Sequence, residues 1–159
     1  MRILMVSGPV HYVYCLCRAL GEAGETVRLL APSVYDVVDG YPTPYEVRRP
    51  FQEGGYLGRL RALLKEAREF RPDVVHFQWT FAPRKDWFMA RWLSRLGAPA
   101  VLTVHNVLPH EPTFAERWAL GQLYRRFRAL CVHAESTRQE LMRSGVAGDR
   151  VTVIPHGNF

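Results

Sequence analysis

Four short segments of this 159-residue chain gather the side chains capable of chemistry. They are Ser7-Gly8-Pro9-Val10-His11, His76-Phe77-Gln78-Trp79, Thr103-Val104-His105-Asn106 with His110-Glu111 close behind, and His133-Ala134-Glu135-Ser136. Gly8 stands between an apolar run and a helical pattern. A glycine there lets backbone N–H groups approach an anion at a helix N-terminus, or it serves as an ordinary turn. His76 and Gln78 are two apart, so an extended chain presents both on one face, and an imidazole beside an amide suits a hydroxyl-rich ligand or a satisfied core. Trp79 stacks on a sugar ring or simply packs. His105 follows a β-branched run and is placed for hydrogen bonding or proton transfer, or is a satisfied histidine at a strand end. Ser136 reads first as a helix N-cap and second as a ligand contact. His156-Gly157-Asn158 follows the last apolar run and starts a turn.

Several chemistries are disfavoured by what is missing from the sequence. G-x-G-x-x-G and G-x-x-x-x-G-K-[ST] are absent, which argues against a dinucleotide site or a P-loop. There is no G-x-S-x-G elbow, and His105 and His110 lack the H-E-x-x-H spacing of a zinc site. Three cysteines, two of them as C-x-C at Cys15 and Cys17 and the third Cys131, make neither a disulfide framework nor a zinc ribbon. They suit a reduced, cytoplasmic setting.

Short β-rich runs alternate with helical periodicity and must position these segments. Strands are expected over 2–7, 26–31, 45–49, 74–77, 100–104, 130–134 and 151–154. Helices are expected over 11–23, 56–70, 83–96, 114–129 and 136–143. This alternation predicts an α/β domain with an open, mostly parallel, Rossmann-like sheet of about seven strands and helices on both faces. Ligands then bind beyond the carboxyl ends of the strands, where all four segments fall.

Composition sets the limits. With 48% hydrophobic and 23% charged residues, the chain supports one packed domain over 1–159 and is not disordered. No run of 18 apolar residues exists to span a bilayer, and the apolar opening is too short for a signal peptide. The formal charge is +6, carried by 19 Arg and 2 Lys. Such a balance suits anionic partners, or marks arginine as the preferred surface cation. No nucleic-acid-binding module is present, so no nucleic-acid partner is expected. Arg84, Arg91 and Arg95 share one helix face beside Phe88, with Trp87 on the outer side and Met89, Trp92, Leu93 and Leu96 inward. That basic face suits either solvent or peripheral contact with an anionic membrane.

Taken in order, the Gly loop, PDVVH, PAVLTVHN, HAESTRQEL and VTVIPHG resemble the N-terminal domain of family 4 glycosyltransferases of the GT-B fold. The resemblance covers essentially the whole chain. It implies one half of a GT-B enzyme that moves a sugar, with retention, from a nucleotide-sugar donor to a glycan or lipid-linked acceptor. It also implies that no metal or separate cofactor is needed, the nucleotide sugar being a substrate. By similarity Gly8 approaches the donor diphosphate and His105 contacts the transferred sugar or stabilises the transition state. His76, Gln78, Trp79, Asn106, His110 and Glu111 line the acceptor side. The sequence departs from the family pattern in its single glycine at the first loop and in Gln78, where a second histidine is common. Because the chain ends where an interdomain linker would begin, the expectation is that the C-terminal donor-binding domain is absent and the domain turns over little alone. A non-catalytic subunit recruiting a separate donor-binding chain is the alternative, with an exposed apolar surface expected around Val10, Phe81 and Phe159. An unrelated flavodoxin-like ligand domain is a third reading.

Overall fold

In a computed structural model the chain is described over residues 1–7, 11–32, 43–51, 55–82, 85–108 and 111–155. Among these residues seven strands form one sheet: β1 (Arg2–Val6), β2 (Thr26–Leu30), β3 (Glu46–Arg48), β4 (Val74–Phe77), β5 (Ala100–Thr103), β6 (Ala129–Val132) and β7 (Val151–Val153). Every pairing is parallel, in the order β3-β2-β1-β4-β5-β6-β7. The order reverses between β1 and β4, the place where open α/β sheets leave a crevice.

The described residues also form five α-helices between the strands: α1 (His11–Glu22), α2 (Gly55–Phe70), α3 (Asp86–Leu93), α4 (Phe114–Tyr124) and α5 (Glu135–Arg143). The period-two alternation of the strands sorts their side chains between two cores. Ile3, Met5, Val27 and Leu29 pack with Val13, Tyr14 and Cys17 of α1. Leu4, Val6, Leu30, Val75, Phe77, Leu102, Leu130 and Val132 pack on the other face with α2, α3, α4 and Leu141 of α5. On α2 the buried residues Leu60, Leu63, Leu64, Ala67 and Phe70 follow the expected helical spacing. Gly24, with φ of 87°, ends α1 in the left-handed region that only glycine enters cheaply.

Three expectations are corrected at their ends. The helix expected over 114–129 stops at Tyr124 because the Arg128 N–H already pairs with the Ala100 carbonyl at 2.7 Å, and Phe127 is drawn fully into the core. The helix expected over 83–96 is regular only from Asp86 to Leu93. Its last residues turn with bonds three apart, Arg95 N–H to Trp92 and Leu96 N–H to Leu93, and Pro83 and Arg84 lie outside the described residues. Ser136 is not an N-cap: Ala134 holds that position without a side-chain bond, and Glu135 sits in the first turn, where its charge favours the helix dipole. The full capping box belongs to α4 instead, with the Glu116 N–H donating to Thr113 Oγ1 and the Thr113 N–H to Glu116 Oε2.

Candidate functional site

Parallel strands of similar length end together, so the residues just past β4, β5 and β6 meet. Alternation places His76 and Gln78, Thr103 and His105, and Cys131 and His133 toward the α1 side, since Val75 and Phe77, Leu102 and Val104, and Leu130 and Val132 all point into the opposite core. Tyr12 of α1 completes the group. Its ring meets His105 edge-on at 6.1 Å and His133 at 5.5 Å. His105 and His133 lie 5.2 Å apart, and Trp79 stacks on His105 at 4.8 Å and 24°. Trp79 remains 46% exposed, which leaves ring surface for a further planar or sugar ring.

Beneath this aromatic layer lies a neutral hydrogen-bond network. His76 Nε2 is 2.9 Å from Thr103 Oγ1 and 3.2 Å from Gln78 Nε2. An amide nitrogen only donates, so His76 Nε2 accepts and the ring proton sits on Nδ1. Burial pushes the His76 pKa down to about 4, so the ring is uncharged at neutral pH. Gln78 is fully buried; its amide also points a donor at Met5 Sδ, 3.6 Å away, and its Oε1 receives no hydrogen bond from the described residues. At His133 the partner of Nδ1 is the Ile154 carbonyl at 2.9 Å, which can only accept, so Nδ1 carries a proton there.

A cleft of about 570 Å³ opens over this layer, lined by Gln78, Trp79, Thr103, His105 and Asn106, and closed on its far side by Arg117, Tyr124 and Glu140. The Tyr124 hydroxyl donates to the Val107 carbonyl at 2.7 Å, so α4 pins the loop that follows His105. Asp86, fully buried at the start of α3, holds the loop that carries Trp79: both of its carboxylate oxygens accept from the Ala82 N–H at 3.0 Å. Burial raises the Asp86 pKa to about 6, against the pull of those loop hydrogen bonds.

Of the residues singled out by sequence, Gln78, Trp79, His105 and Asn106 line one cleft. His76 lies one layer behind it, engaged with Thr103 and Gln78. Glu111 is exposed and outside the lining. Gly8, Val10, His110, the turn at His156-Gly157-Asn158 and Phe159 lie outside the described residues. Phe81 does not form the exposed apolar surface expected of it: it is half-buried against Phe51 at 5.3 Å and Tyr56 at 6.4 Å. Sequence reasoning missed Arg117 and Tyr124, which reach the cleft through packing, and Tyr12, whose ring backs His105 and His133. It also left His133 unassigned, although His133 ends its strand just as His105 does. Among the described residues no three His, Cys, Asp or Glu side chains cluster to hold a metal ion.

Solved structures share this architecture. Anabaena HepE in complex with UDP and glucose matches 99% of the chain with a TM-score of 0.67 at 19% identity. A glycosyltransferase from Rickettsia africae matches 98% with a TM-score of 0.72 at 14% identity. UDP-GlcNAc 2-epimerase from Methanocaldococcus jannaschii matches 96% with a TM-score of 0.67 at 16% identity. The chain spans 45%, 43% and 45% of those three proteins, a little under half of each. No curated protein sequence matches it. At such identities the structures speak for the fold alone, and the sequence itself carries the rest. The family model of Glycosyltransferase Family 4 matches residues 6–157, which takes in the whole of the strand-tip cleft, and the chain belongs to that family.

Proposed function

We propose that this domain forms the acceptor side of a retaining glycosyltransferase that moves a sugar from a nucleotide-sugar donor to a hydroxyl of a glycan or lipid-linked acceptor. The observation that carries the reading is the strand-tip cleft, whose polar wall is formed by His105 and Asn106. Trp79 beside them offers a flat apolar face to a sugar ring. On this reading His105, stacked on Trp79, contacts a ring hydroxyl of the transferred sugar. In the reaction the acceptor oxygen bonds to the anomeric carbon, the bond from that carbon to the diphosphate oxygen breaks, and the acceptor proton departs with the nucleoside diphosphate or a nearby base. On this reading the donor is held mainly by a second, C-terminal domain, with Gly8 approaching the diphosphate and His110 on the acceptor side.

The test combines the chain with a donor-binding domain of the same family, labelled nucleotide sugars and a panel of glycan and lipid acceptors. Transfer that is lost in His105→Ala, with an unchanged unfolding midpoint, supports the reading. A folded pair that transfers to no acceptor on the panel overturns it in favour of a binding subunit.

A further inference from the structure

The outer faces of α3 and α4 carry an unusual surface. Trp87, Phe88, Phe114 and Trp118 are 37%, 45%, 86% and 56% exposed. They account for four of the nine exposed large hydrophobic side chains among the described residues, on two neighbouring helices. Singly scattered apolar residues need no explanation, but a contiguous patch does. Continuity is visible here. Trp87 and Phe88 stack at 3.8 Å, Trp87 and Trp118 line one groove of about 540 Å³, and Phe114 is one helical turn from Trp118.

The groove is also basic. Arg91 and Arg126 line it with Ser94 and Gln122, and among the described residues no acidic side chain does. Between residues 85 and 128 there are seven basic residues and three acidic ones. Two of the three acids are inward and committed, Asp86 to the Ala82 N–H and Glu116 to the capping box. Among the described residues the ion pairs of the helices and sheet lie elsewhere, on α1, α2, α5 and the β2–β3 edge, so Arg91 and Arg126 keep their charge uncompensated. Cations next to large exposed aromatics match a surface that is anionic outside and apolar within. A nucleic acid would leave the 86% exposed Phe114 without an apolar destination. Among the described residues no helix is long and apolar enough to cross a bilayer.

We propose that the α3–α4 face docks on an anionic lipid membrane, with Trp87, Phe88, Phe114 and Trp118 entering the interface and Arg91 and Arg126 meeting headgroup phosphates. The surface extends the basic face of α3, legible in the sequence, across the groove to α4. It does not depend on the sugar-transfer reading.

Flotation with phosphatidylglycerol-containing vesicles and with pure phosphatidylcholine vesicles tests this in the full chain. Binding to the anionic vesicles alone is expected, with a blue shift of tryptophan fluorescence and at least a tenfold fall in binding between low and high salt. The double variant R91Q/R126Q should bind roughly thirtyfold more weakly, from about 1 kcal/mol per basic group at an anionic surface. W87S/W118S should lose the blue shift, and circular dichroism with thermal unfolding confirms that both variants are folded. Inorganic phosphate at millimolar concentration should not displace the chain. Equal binding to both lipids, unaltered binding by folded variants, displacement by phosphate, preference for a single-stranded oligonucleotide, or a dimer dispersed by W87S/W118S without vesicle binding would each overturn the proposal.

Discussion

Two concavities of similar size, about 570 and 540 Å³, sit on either side of α4 and are built in opposite ways. The strand-tip cleft rests on buried, uncharged groups locked to one another: His76 to Thr103 and Gln78, and His133 to a carbonyl. The α3–α4 groove rests on exposed aromatics and on arginines without acidic partners among the described residues. The first suits hydroxyl groups, in keeping with the proposed acceptor, because their recognition needs fixed donors and acceptors in a dry setting. The second has little internal wiring and suits a partner that is itself fluid and charged. The contrast teaches that burial, rather than residue type alone, decides whether a polar side chain reads a shape or senses a field.

The sharpest way to break the contrast is through pH, because two groups near the cleft are displaced in opposite directions. His76 titrates near 4 in the fold against an ordinary 6.5, so its contribution to stability is full above 6.5 and is lost as pH falls toward 4. Asp86 titrates near 6 against an ordinary 3.8, so its neutral form is favoured in the fold and stability is lost as pH rises from 3.8 to 6. Each amounts to roughly 3 kcal/mol, because every tenfold change in proton affinity is worth about 1.4 kcal/mol, and in the natural chain the two largely cancel. Asp86→Asn should therefore gain about 3 kcal/mol as pH rises from 4 to 6.5, and His76→Gln should lose about as much over nearly the same range. Urea titrations at four pH values check both slopes, and parallel slopes would mean the two groups are not buried as described.

Next in size is His105→Ala. In the reconstituted enzyme it should reduce transfer by about 100-fold, the lower range for loss of a positioned acid–base or hydrogen-bonding group, with thermal stability nearly unchanged. A large loss of stability would instead make His105 a core histidine and erase the cleft's distinction. Thr113→Ala comes third. It removes the capping box of α4, the helix that serves both concavities, and should cost about 1 kcal/mol, read as a lower denaturant midpoint with an unchanged slope. Smallest is Arg91→Gln, an exposed site with no acidic partner among the described residues, which should stay within about 0.5 kcal/mol of the natural chain. A larger destabilisation would show that the groove has structural wiring after all.

Sequence alone determined the sheet. Runs such as RILMV, VVHF and ALCV are too short and too β-branched to be helices, and their alternation with helical stripes admits little besides a parallel α/β layer. It also set Gln78, Trp79, His105 and Asn106 at strand ends together with His76, His110 and Glu111, because parallel strands deliver their following residues to one edge, and of these the cleft takes the first four. The ends of the helices were out of its reach: α4 stops where Arg128 pairs with Ala100, a bond between residues 28 apart. The same holds for the helix start at Ala134 rather than Ser136. Only the tertiary structure decided that His76 stands behind the cleft instead of in it, that His133 and Tyr12 join His105, and that Trp87 and Trp118 share a groove. Strand periodicity reports which side a residue faces, while depth along that side depends on what other elements lay over it, and that information is spread across the whole chain.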